Sequence, residues 1–177
     1  MPRTSIADLL SGGDRRSLGR ADRVAAMVAD NPRLFPELIA GLWSDDRLVR
    51  MRAADAAEKV TRKHPDLLRS RKKEMLGLMA ESVEPELRWH LALMVSRLAL
   101  NVKERQVAIS LLIGYLEDRS SIVRTFALQG LAELALKSDD ADLRFQVTEI
   151  LRQVVRGGTP AMKARSRKLL KQMEPVL

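Results

Sequence analysis

The chain has 177 residues, of which 46% are hydrophobic and 31% charged, with no cysteine and two histidines; this fits one domain whose core needs no staples. The missing cysteines exclude disulfides, thiolate zinc sites, iron–sulfur clusters and cysteine nucleophiles, and His64 with His90 is too few for a polyhistidine metal site. Net charge is +8, no apolar run is long enough to span a bilayer, and no charged-then-apolar leader opens the chain, so a cytoplasmic protein without membrane association is expected.

In chain order, Ser5–Leu10 reads as a short helix with a Ser5/Asp8 capping signature. Residues 11–16 read as a mobile link, which sets a segment 1–16 apart from a helical domain over 17–177. Ser17–Asn31 reads as a helix, and 33–43 as a shorter one carrying Leu34, Leu38, Ile39 and Leu42. Next, Val49, Ala53, Ala56, Ala57 and Val60 lie at offsets 0, 4, 7, 8 and 11, one helical stripe. The same offsets recur from Leu87, Val123 and Met162, so the anchors stand 38, 36 and 39 residues apart. Further helices over 66–80, 103–116 and from Leu143 alternate with this set. Ser44, Glu84, Ser120 and Thr159 stand at N-cap positions, while Pro85 and Pro160 occupy first helical positions where a missing amide does no harm. A period of this length with one stripe per copy indicates stacked helical repeats.

The blocks LFPELIAGLWSDDRLVRMRAADAAEKV and LLIGYLEDRSSIVRTFALQGLAELA resemble HEAT (armadillo-like) repeats, which pair an outer helix with an inner one beginning in a hydrophobic residue and arginine. The matching pairs are Val49-Arg50, Leu87-Arg88, Val123-Arg124 and Met162-Lys163. The resemblance implies an all-α, right-handed α–α superhelix, a short solenoid of about four repeats (32–64, 65–100, 101–138 and 139–174) with an N-terminal helical cap. It also implies that Arg50, Arg88, Arg124 and Lys163 form a ladder tying repeats together through turn carboxylates, or alternatively holding anionic groups of a ligand. Six residues before each basic group, only Asp118 is a carboxylate; Ser44, Ser82 and Gly157 hold the other places.

The inner helices of such repeats usually form a concave binding surface. Offsets −2, 2, 6, 9 and 13 from each anchor point away from the stripe. They place Arg47, Met51, Asp55, Glu58 and Arg62 on the first inner helix, and Trp89, Leu93, Ser96 and Leu100 on the second. Gln129 lies among small and apolar residues on the third, and Ala164, Lys168 and Lys171 on the fourth. The expected function is a non-catalytic scaffold gripping a protein or peptide through Trp89 and Leu93, with basic groups selecting acidic neighbours. Alternatively Trp89 packs between inner helices. Trp43, at an outer helix end, is expected in core or turn packing.

Basic groups cluster twice, seven over 59–73 against Asp66 alone, and Lys163, Arg165, Arg167, Lys168 and Lys171 against Glu174. The alternative function is therefore nucleic-acid binding, through Arg47, Arg62, Lys168 and Lys171. Catalytic, cofactor and metal residues are not expected: Gly12-Gly13 lacks the following Gly-Lys-Ser/Thr of a phosphate loop. A remote third reading rests on fold-level likeness to HEAT-like alkylpurine DNA glycosylases, with Asp55 and Trp89 as the residues concerned.

Overall fold

A computed structural model of the chain describes residues 4–14, 17 and 19–173, and among these it is all helical with no strand. The α-helices are α1 (Ile6–Leu10), α2 (Ala21–Asp30), α3 (Phe35–Ala40), α4 (Arg47–Lys63) and α5 (Lys72–Glu81). There follow α6 (Pro85–Met94), α7 (Val102–Tyr115), α8 (Ser121–Leu136), α9 (Ala141–Gly157) and α10 (Pro160–Met173). Short 3₁₀ turns at Pro32–Leu34, Gly41–Trp43, Pro65–Leu68 and Val95–Arg97 extend or join them. Among the described residues no helix is long and apolar enough to cross a membrane.

Local chemistry sets the helix ends. The Ser5/Asp8 box closes both ways at the start of α1. Asn101 and Glu104 form a second such box on α7, and Ser120 and Asp140 cap α8 and α9. At α4 the cap is Asp46, whose carboxylate accepts the Leu48 N–H at 2.8 Å; Ser44, expected there, instead accepts the Asp46 N–H. Pro85 and Pro160 begin α6 and α10 as expected. The second helix starts at Ala21 rather than Ser17, because Gly19 has φ +54°, outside the right-handed helical region.

The chain divides into two compact units, one running to Lys72 and including Arg97–Ala99, the other comprising Lys73–Ser96 and the chain from Leu100 onward. In the first, α1, α2 and α3 pack on α4 around Leu10, Val24, Val28, Leu38 and the alanine face Ala53, Ala56 and Ala57. In the second, α6 packs on α8, and α8 on α10, with α7 against α8 and α9 against both α8 and α10. The anchors Val49, Leu87, Val123 and Met162 are all buried, as are Leu91, Leu131 and Leu151. Each large apolar side chain so placed contributes roughly 1.5–3 kcal/mol relative to exposure.

The first unit also buries an arginine. Arg52, on α4, is 1% exposed. Its Nη1 donates to the carbonyls of Leu10 (2.7 Å) and Gly12 (2.5 Å), and its Nη2 to those of Asp14 (3.0 Å) and Ser17 (3.2 Å). Gly12 and Gly13, at φ +72° and +81°, let the backbone turn its oxygens inward around one guanidinium. The described residues of the expected link thus form a collar of carbonyls around Arg52, and Arg15 and Arg16 of that link lie outside the described residues. Five fixed donors suit this task better than a point ammonium would.

Candidate partner-binding face

On the second unit, α6 and α8 lie very close. A β-carbon at Gly130 would sit 2.5 Å from the Ala92 carbonyl oxygen, so the approach requires glycine. It brings Trp89, on α6, against Phe126, on α8, with ring centroids 5.2 Å apart and planes at 27°. From α10, the Arg165 guanidinium covers the Phe126 ring at 5.3 Å. The alternate helices α6, α8 and α10 thus contribute a row of Trp89, Phe126 and Arg165.

A polar chain fixes this row. Gln129 Oε1 accepts from Arg165 Nη1 at 2.5 Å, and Gln129 Nε2 donates to Glu133 at 2.8 Å. Glu133 in turn accepts the Ser96 hydroxyl, and the Ser96 carbonyl accepts from Lys137 Nζ at 2.6 Å. Gln129, placed by the wheel on the open lane as a candidate contact residue, is accordingly a positioning group for Arg165 and Glu133.

Between α8 and α10 the row opens into a cleft of about 470 Å³ lined by Ser121, Ile122, Thr125, Phe126, Ala161, Ala164, Arg165 and Lys168. Ile122 is 55% exposed, and the Thr125 hydroxyl is spent on the Ser121 carbonyl at 2.7 Å. The walls are therefore apolar and aromatic, and one rim is cationic. Lys168 and Lys171 are exposed along α10.

Several expected contact residues lie elsewhere. Leu93 is buried at 7% exposure, so it belongs to the core of its unit and cannot meet a partner. Asp55 and Glu58, also expected on the open lane, are buried as well. Asp55 accepts from Lys59 at 2.7 Å; Glu58 is held by Arg62 and, at 2.5 Å, by Arg97, which also bonds the Glu58 carbonyl and the Thr61 hydroxyl. Arg62 is therefore half committed, and it lies with half-exposed Arg47 and Met51 on the first unit. A second cleft there, about 330 Å³ between α2 and α4, has Lys59 on its wall paired with Asp22 and Asp55. Trp43 is 46% exposed rather than packed. His90 is buried, its Nδ1 donating to the Glu86 carbonyl at 2.6 Å.

Two of the four residues of the expected ladder, Arg50 and Arg88, bond backbone carbonyls, whereas the Arg124 Nε is buried without a hydrogen-bond partner among the described residues. Arg50 Nη1 donates to the Ser44 carbonyl at 2.5 Å, and Arg88 Nε to the Ser82 carbonyl at 2.7 Å. In both cases the backbone of the residue six places earlier supplies the acceptor that its side chain lacks. Arg88 also pairs with Asp118 at 2.6 Å and lies 5.2 Å from the Tyr115 ring. Lys163 is half-exposed on α10.

Burial opposes ionisation of Asp118, but the Ser120 N–H and the Arg88 and Arg124 guanidiniums outweigh it and hold its pKa below the usual value. Glu58 behaves alike: burial works against its charge, and hydrogen bonds from Arg62 and Arg97 win, lowering its pKa. Among the described residues no cluster of potential ligands for a metal ion occurs. Compared with protein-family models the chain matches none, and a search of curated proteins returns no match.

Phe126 was not singled out by sequence, and Arg165 only as one of the C-terminal basic cluster. Phe126 sits one residue past the offset that marks Trp89, and Arg165 one past Ala164, so both fall between the lanes of a regular wheel. Their signal was chemical: an aromatic and an arginine at offset 3 of consecutive anchors.

Proposed function

We propose that this chain is a non-catalytic scaffold of HEAT-like repeats that binds an extended segment of a protein partner across α8 and α10. The observation that carries the reading is the Trp89–Phe126–Arg165 row beside an open apolar cleft with Lys168 at its rim. Rigid aromatics offer contact area at little entropic cost, and cations beside them favour a carboxylate next to an apolar side chain. The repeat spacing and the carbonyl ties of Arg50 and Arg88 support the HEAT-like reading.

The test is selection of random displayed peptides on the immobilised protein. Enriched sequences should place Asp or Glu beside an apolar residue. Lys168→Glu, an exposed substitution, should weaken them at least tenfold, whereas Trp43→Ala should leave them unchanged. No enrichment, or binding indifferent to Lys168→Glu, would refute the reading. Duplex DNA binding whose log affinity falls against log salt with a slope of about −0.9 per phosphate contacted would replace it with nucleic-acid binding.

A further inference from the structure

Helix α7 is apolar on two sides. Ala108, Leu112 and Tyr115 face the core, yet on the exposed side Val107 is 50% and Ile113 45% accessible. Its counterpart α9 presents Asp142, Gln146, Arg152 and Arg156 to solvent, apart from Phe145. The exposed residues of α7 and the turn after it recur at Lys103, Val107, Ser110, Gly114 and Glu117, with Gln106 and Ile113 flanking them. That spacing averages half a heptad, the repeat of a helix–helix seam.

The seam is also self-complementary. Counting outward from Ser110, Val107 and Ile113 lie three residues away, Gln106 and Gly114 four, and Lys103 and Glu117 seven. We propose that α7 pairs antiparallel with α7 of a second copy of this chain, about a two-fold axis at Ser110. Such pairing sets residue 110+n against 110−n, so Lys103 meets Glu117 of the other copy at each end and Val107 meets Ile113. A parallel pairing would oppose like charges. Within the chain Lys103 and Glu117 form no ion pair with any described residue. At the centre, Ser110 and Gly114 are small, and a β-carbon at Gly114 would meet nothing within 4 Å, which permits close approach of the two axes, near the lower end of the 8–10 Å range. A surface complementary to itself about one axis is what a two-fold dimer requires, and the end charges fix its orientation more than its affinity. This inference is independent of the α8–α10 cleft.

Because the chain has no cysteine, Ser110→Cys places a single thiol on the proposed axis. Mild oxidation should cross-link it to dimers, while Gln153→Cys, on the exposed side of α9, should stay monomeric. In sedimentation equilibrium, Lys103→Glu or Glu117→Lys should each weaken the dimer roughly tenfold, and the double charge swap should restore it. Three results would overturn the proposal: a monomer at every concentration, which would leave the face to a different protein; cross-linking at Ser110→Cys no greater than at Gln153→Cys; or a double swap as weak as the single variants.

Discussion

Arg52 joins four backbone carbonyls of the segment before α2. Removing it leaves the buried Leu10 carbonyl without a donor, at a cost of about 1–3 kcal/mol, while the carbonyls of Gly12, Asp14 and Ser17 are only part-buried. Arg52→Ala should therefore lower the free energy of unfolding by about 1–3 kcal/mol in urea titration, and Arg52→Lys should recover only part of that loss. An Arg52→Ala protein as stable as the wild type would mean that the collar closes without its centre. Sequence reasoning could not foresee this arginine: its acceptors lie 35 to 42 residues away and are backbone atoms, which have no side-chain signature. The visible hint was Gly12, Gly13 and Gly19, a density of glycine that suits a backbone turning tightly around something. For Leu93, Asp55 and Glu58 the failure differed. A wheel calibrated on one stripe assigns the opposite side to water, whereas these helices are buried over more of their circumference.

At the scale of the helix, Gly130 and Gly77 make opposite predictions from the same substitution. Alanine is the better helix former by up to about 1 kcal/mol. On α5, where a β-carbon at Gly77 would touch nothing within 4 Å, Gly77→Ala should raise the melting temperature by about 2–4 °C. On α8, Gly130→Ala would drive a methyl into the Ala92 carbonyl and should cost about 1–3 kcal/mol despite its propensity. Tryptophan fluorescence of Gly130→Ala should also change, since the contact between Trp89 and Phe126 depends on that approach. Helix type was legible because the same apolar stripe at helical spacing recurs from each of the four anchors, and the anchors are buried where the pattern put them. The helices around the 3₁₀ turns were less so: 66–80 separates into Pro65–Leu68 and α5. The aromatic row was hidden because it depends on how three helices meet, and a single wheel carries no such information.

Across the whole molecule, acid should act through Glu58 in one unit and Asp118 in the other. Both carboxyls have folded pKa values below their ordinary ones of 4.5 and 3.8. The stability they contribute is therefore fully present above those values and is lost as pH falls through the lower, folded values. Glu58→Gln should reduce stability at pH 7 and flatten its fall between about pH 5 and 3, as measured by urea unfolding across that range. A slope unchanged by Glu58→Gln would assign the acid response to other groups. The cation that secures Glu58 has a consequence in time as well. Arg97 belongs with the first unit, although the chain between Lys73 and Ser96 does not. On the ribosome, a nascent polypeptide that has just released Lys72 must wait for the tunnel to deliver Arg97. At ordinary translation speeds that delay is about one to five seconds, during which Glu58 has Arg62 but not yet Arg97 to answer its charge.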